Sequence, residues 1–116
     1  MTPLAARVFA LSPDVRYVAS YVDGHLDLAA RAAPNASAPE SDRYEELIVN
    51  PTLLTLAGQR GRIDCGGLEY VVVRYGNFFQ LVVPVCGGHV SVAVEPTGVP
   101  LALVDRIRTI AAEHGA

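Results

Sequence analysis

The sequence predicts an α+β domain. We expect a five-stranded antiparallel sheet, a central helix between a hairpin and a three-strand meander, and helices on both faces. Three observations carry this. Residues 67–96, GLEYVVVRYGNFFQLVVPVCGGHVSVAVEP, are rich in Val, Tyr and Phe and are broken at Gly76-Asn77 and Gly87-Gly88. Bulk near Cβ suits a pleated, half-buried surface, and the breaking residues tolerate the positive φ of tight hairpins. Residues 15–22 and 25–32 alternate around Asp23-Gly24, a strong hairpin signal because a type I′ turn needs positive φ at both central positions. Apolar residues recur at helical spacing before, between and after these strands.

In chain order, residues 1–12 place Leu4, Val8 and Leu11 on one helical face beside Ala5 and Phe9, with Pro3 suited to the first turn. Ser12 precedes Pro13 and is pushed towards extended geometry, which ends the helix. A helix of this kind binds a partner or simply covers the sheet. In the hairpin, Tyr17, Ala19 and Tyr21 share one face, opposite Arg16, Val18, Ser20 and Val22. Leu26, Leu28 and Ala30 oppose His25, Asp27 and Arg31, the pattern of an edge or half-exposed strand.

Residues 33–41, APNASAPES, form a loop by composition. A helix is expected over about residues 42–60, capped by Ser41 or Asp42 with Glu45 at capping-box spacing, and carrying Tyr44, Leu47 and Ile48, then Leu53, Leu54 and Leu56. Pro51 lacks an N–H and crowds the carbonyl of Leu47, so Asn50-Pro51 should kink or split it, with Asn50 capping the second part. The meander strands are expected at residues 68–75, 78–86 and 89–95. Pro84 falls within the middle one, which predicts a bulge there or lost pairing on one side. A turn at residues 96–100 leads to a last helix with Leu103, Val104, Ile107, Ile110 and Ala111 on one stripe, ended at Gly115.

Composition narrows the function. A chain of 116 residues is expected to form one domain, residues 1–116, and with 51% apolar residues it favours a partner or a second copy to cover its surface. Nine arginines, no lysine and twelve acids give a net charge of -3, which disfavours nucleic acid and anionic membranes. No apolar run approaches the ~20 residues of a membrane span, so no membrane insertion is expected. The first residues lack a basic region followed by a long apolar core, and Cys65 and Cys86 suit a reducing compartment, so a cytoplasmic location is expected.

No catalytic motif of any strength is present. Cys86 and His89 have the spacing of two metal ligands, with Cys65 as a possible third, but a structural zinc site usually needs four. A nucleophile pair would join Cys86 or Cys65 to His25, His89 or His114, and chance pairings among these are easy. Both cysteines are instead expected to be reduced, unliganded and non-catalytic. Gly58, Gly61, Gly66 and Gly67 do not match a phosphate-binding loop, which also needs a lysine. Arg60 and Arg62 suit either an acidic partner surface or a solvated helix end.

The element order, with RYVASYVDGHLDLAAR as hairpin, the meander quoted above and VPLALVDRIRTIA as closing helix, resembles the roadblock/dynein light chain family, a profilin-like fold. The resemblance spans nearly the whole chain. It differs in the short first helix and the proline within the central one. It implies a non-enzymatic homodimer that needs no cofactor and serves as a scaffold or as a regulator of a small Ras-like GTPase. It implies that the first meander strand pairs with its copy and that the central helices pack together. The expected interface is Leu68, Tyr70, Val71, Val72, Val73 and Arg74, with Leu53 and Leu54 from the helix. A physical argument agrees, because a strand that starts a meander leaves one edge open. Glu69 and Arg74 would then meet across the two-fold axis. A small-ligand sensor of profilin-like or PAS-like type is the alternative, and it requires a polar-lined cavity between sheet and helix.

Overall fold

A computed structural model describes residues 1–114, and the expected helix stop at Gly115 lies outside them. Five strands form one antiparallel sheet in the order β2-β1-β5-β4-β3: β1 Val15–Val22, β2 His25–Ala30, β3 Val71–Arg74, β4 Phe79–Val85 and β5 Gly88–Val94. Asp23 and Gly24 both take positive φ, 52° and 80°, as their turn requires. The meander turns differ from expectation. Gly76 and Asn77 turn without positive φ, and the second turn is Cys86-Gly87, with Gly88 already paired. Gly88 lies against β1 so closely that a Cβ there would sit 1.7 Å from the Tyr21 carbonyl oxygen. That close approach is what demands glycine.

Helices α1 Pro3–Phe9 and α4 Val104–Glu113 cover one face. Thr2 caps α1, its hydroxyl accepting from the Ala5 N–H at 3.1 Å. A 3₁₀ turn, Pro100–Ala102, leads into α4. The expected stripes are buried except at Leu11, which lies past α1 and is half-buried: Leu4, Ala5, Val8 and Phe9 from α1 meet Leu103, Val104, Ile107, Ile110 and Ala111. They pack on Val15, Val18, Leu81, Val83, Val90, Val92 and Val94 of the sheet.

The central helix covers the other face and differs from expectation at both ends. It begins at Pro39, runs as α2 Pro39–Tyr44, widens into a π-turn at Glu45–Val49 and continues as α3 Asn50–Asp64. Ala38 occupies the N-cap without a side-chain bond, so neither Ser41 nor Asp42 caps it, and Pro39 starts the first turn instead. The helix is not split at Asn50-Pro51 and runs on through these residues; its departure from α geometry is the π-turn just before them. The Asn50 N–H donates to the Glu45 carbonyl, five residues back, and Pro51 follows where its missing N–H costs least.

The first meander strand is shorter than expected. Leu68, Glu69 and Tyr70 are outside β3, and the reason is Pro84. Tyr75 N–H donates to Phe78 O, so alternate pairs along this register, Val73 with Gln80 and Val71 with Val82, also face each other. The next such pair would be Glu69 with Pro84, which has no N–H, and the ladder stops at Val71. Towards β5, Pro84 falls in a pair that needs no bond from it, and Pro84↔His89 continues without a bulge. Of the two outcomes expected at Pro84, the lost pairing is the one observed. A second irregularity lies at Arg16, where β1 slips against β5 between Val15 and Tyr17. This bulge turns Arg16 to the Tyr17 face, not the Val18 face, and stacks it 4.8 Å from the Phe78 ring.

Candidate interaction surface and the polar layer beneath it

The central helix buries polar residues and leaves several large apolar ones exposed. Glu46 and Asn50 are fully buried and Glu45 nearly so, whereas Tyr44 is 61% exposed, Ile48 51%, Leu56 63% and Ile63 76%. The reason lies on the strands beneath. β5 reads GHVSVAV, with valines towards α1 and α4, so His89, Ser91 and Ala93 face the central helix. Gln80 of β4 and Tyr17 of β1 flank them. A polar strip of this kind binds a polar helix face, because each buried group needs a partner.

Glu46 is the hub. Its carboxylate accepts from the Tyr17 hydroxyl, from His89 Nε2 at 2.7 Å and from Asn50 Nδ2 at 3.0 Å. Asn50 Nδ2 also reaches Ser91 Oγ at 3.3 Å, and Gln80 Nε2 donates to the same hydroxyl. Asn50 therefore ties helix to sheet and does not cap a second helix, and its Oδ1 is left without a donor. Burial, reinforced by Glu46, pushes the Tyr17 phenol far above its ordinary pKa. Glu45, expected in a capping box, instead accepts from the Tyr75 hydroxyl at 2.7 Å. Burial pushes its carboxyl up while that hydrogen bond pulls the other way, and burial followed by the Glu45 contact raises Tyr75 to about 12.

The expected interface residues are placed as follows. Val71, Val72 and Val73 are half-buried on edge strand β3, and Arg74 is exposed with its guanidinium 4.7 Å from the Phe79 ring. Leu68 and Tyr70 precede the strand, Leu68 half-buried and Tyr70 38% exposed. Leu53 and Leu54 are half-buried on α3. Helix and edge are joined at both ends. Tyr75, just past β3, holds Glu45, and at the other end Gly67 N–H donates to Gly61 O at 3.0 Å. The helix and the segment carrying β3 are thus tied together at both ends. Glu69 and Arg74 each have a neighbour within the chain: Glu69 stands 3.8 Å from Arg108, and Arg74 donates to the Tyr75 carbonyl.

The cysteine constellations are not assembled. Cys86 is exposed on the β4–β5 turn, whereas His89 is buried with its Nε2 held by Glu46. Cys65 is exposed at the end of α3, its thiol 3.2 Å from Asp64 Oδ1. Among the described residues no group of three or more His, Cys, Asp or Glu side chains is placed to hold a metal ion. Nor is any helix there long and apolar enough to cross a membrane.

The buried hub was missed by sequence reasoning. Its signal was the run of non-valine positions in β5, His89, Ser91 and Ala93, together with Glu46 and Asn50 four apart on the helix.

No protein-family model and no curated protein matches the sequence. Among solved structures, the chain is similar to a Roadblock/LC7 domain from Streptomyces avermitilis, with 16% identity over 95% of this chain and 90% of that one and a TM-score of 0.73. At that identity the likeness establishes architecture, and the fold of this chain is the roadblock fold.

Proposed function

We propose that this protein is a non-enzymatic scaffold or regulator that acts as a homodimer through the β3 edge and the outer side of the central helix. The observation that carries the reading is a set of exposed apolar side chains on the central helix, whose buried side is held by Glu45, Glu46 and Asn50, together with an unpaired strand edge. Tyr44, Ile48, Leu56 and Ile63 form an apolar stripe whose natural cover is another apolar surface. An isologous two-fold contact would pair β3 with its copy and set the two helices side by side. The site then comprises Leu68, Tyr70, Val71, Val72, Val73, Arg74, Leu53 and Leu54, extended by the exposed stripe.

Sedimentation at micromolar concentration tests this, with dimer expected. Val72→Pro sharpens the test. In the β3 register the N–H groups of Val71 and Val73 face β4, so that of Val72 faces outward. Proline at 72 removes only the outward donor, and we expect a folded monomer or an aggregate. A wild-type monomer would end the reading.

A small Ras-like GTPase is the partner class we propose for such a dimer, in a cytoplasmic setting, on the strength of the family resemblance. Capture from the native host probed for small GTPases is the test, and loss of capture in a folded Val72→Pro variant would tie it to the dimer. One observation favours the second reading, a small-ligand sensor: a cavity of about 390 Å³ lies between the start of the central helix and the sheet.

A further inference from the structure

That cavity is lined by Asp42, Tyr44 and Glu45 from the helix and by Tyr75, Phe78 and Gln80 from the sheet side. Its size falls within the range of small-molecule sites. Glu45 is only 9% exposed. One of its carboxylate oxygens accepts from the Tyr75 hydroxyl, and the other, Oε2, is buried without any donor. A carboxylate with an orphaned buried oxygen lacks a hydrogen-bond donor, ideally a charged one.

The charges around it point the same way. Three carboxylates, Asp42, Glu45 and Glu46, lie within five residues of helix. Two nearby basic side chains are already engaged: Arg16 stands 3.1 Å from Glu95 and donates to the Asn35 and Asn77 carbonyls, and His89 is held by Glu46. Asp42 has only the Ser37 hydroxyl as a side-chain donor. The rings of Tyr44 and Tyr75 complete the walls with faces that attract cations, while the Phe78 ring already carries Arg16. Without three suitably placed ligands the site does not suit a metal ion.

We propose that the cavity between Asp42, Glu45, Tyr75 and Phe78 binds an organic cation bearing N–H donors, a guanidinium or primary ammonium, with Glu45 Oε2 as its principal acceptor. Tyr44 belongs to both surfaces, but the cation site rests on Glu45 and its neighbours and is tested by binding to the chain whatever its oligomeric state. Such a group arrives either on a small diffusible molecule or on an arginine side chain of another protein.

The test titrates the intact chain with agmatine and, separately, with Nα-acetyl-arginine amide, following heat and backbone amide shifts. Saturable binding that shifts the amides of residues 42–45 and 75–80 is expected. Tighter binding of agmatine indicates a diffusible ligand, and equal or tighter binding of the blocked arginine indicates a protein side chain. Glu45→Gln should weaken binding by about tenfold or more. Tyr75→Phe should tighten it, because it frees the second carboxylate oxygen, and damage to the fold would not produce that direction. Absence of saturable binding by both probes at millimolar concentration overturns the proposal, as does undiminished binding by Glu45→Gln.

Discussion

Under α1 and α4 the sheet presents Val15, Val18, Leu81, Val83, Val90, Val92 and Val94, all essentially dry. Under the central helix the same strands present Tyr17, Ala19, Gln80, His89, Ser91 and Ala93. The first face resembles the core of any small domain. Its energy comes from apolar burial, which is large and indifferent to small changes of orientation. The second face holds its helix through directional bonds to Glu46 and Asn50. Directional bonds fix which side of the helix looks inward, and polar groups taking that side leave the apolar side outward. The difference explains how one sheet carries both a conventional core and a helix that leaves Tyr44, Ile48, Leu56 and Ile63 exposed.

The largest expected effects break one face at a time. Glu46→Ala leaves His89, Asn50 and the Tyr17 hydroxyl buried without their shared acceptor, and should cost about 3–5 kcal/mol in urea unfolding. Replacing Glu46 and His89 together by leucine should recover only the part of that loss due to His89, because the Tyr17 hydroxyl and the Asn50 amide still lack the Glu46 acceptor. On the dry face, Ile107→Ala removes a fully buried side chain and should cost about 2–5 kcal/mol.

A smaller effect comes from the carboxyls at the edge of the polar face. Burial lifts Asp42 and Glu45 above their ordinary values of 3.8 and 4.5. The folded chain therefore holds these protons more tightly than the unfolded one. Their stabilisation is full below the ordinary values and is lost as pH rises through the lifted ones. Between about pH 4 and pH 7, stability of the Asp42→Asn, Glu45→Gln double variant should fall less steeply with rising pH than that of wild type. Smallest is Leu56→Ala, on the outward side, which should change the stability of the monomer by less than about 0.5 kcal/mol while weakening self-association.

The dry face was legible because valine at every second position and leucine or isoleucine at helical spacing are periodic signals. The edge position of the first meander strand was legible from chain order. Its true start was not, because it depends on which side of β4 Pro84 turns its missing N–H, and that is set by register against β3. The orientation of the central helix was not legible for a related reason. Helical periodicity says which residues share a side, and only the partner surface says which side is buried. Asn50 looked like a cap because it precedes proline, yet Glu46 and Ser91 claim its amide. The orphaned Glu45 oxygen had no sequence signal at all, since it follows from the π-turn and from where Tyr75 ends β3.

The central claim is that the outward side of the helix and the β3 edge are covered by a second copy. Amide hydrogen exchange along β3 tests it most directly. Val71 and Val73 N–H groups face β4 and should be protected at any concentration. The Val72 N–H faces away and gains a partner only across the interface. The account predicts protection of Val72 that rises with protein concentration and reaches that of Val71. Rapid exchange at Val72 at every concentration, beside protected Val71 and Val73, would contradict it.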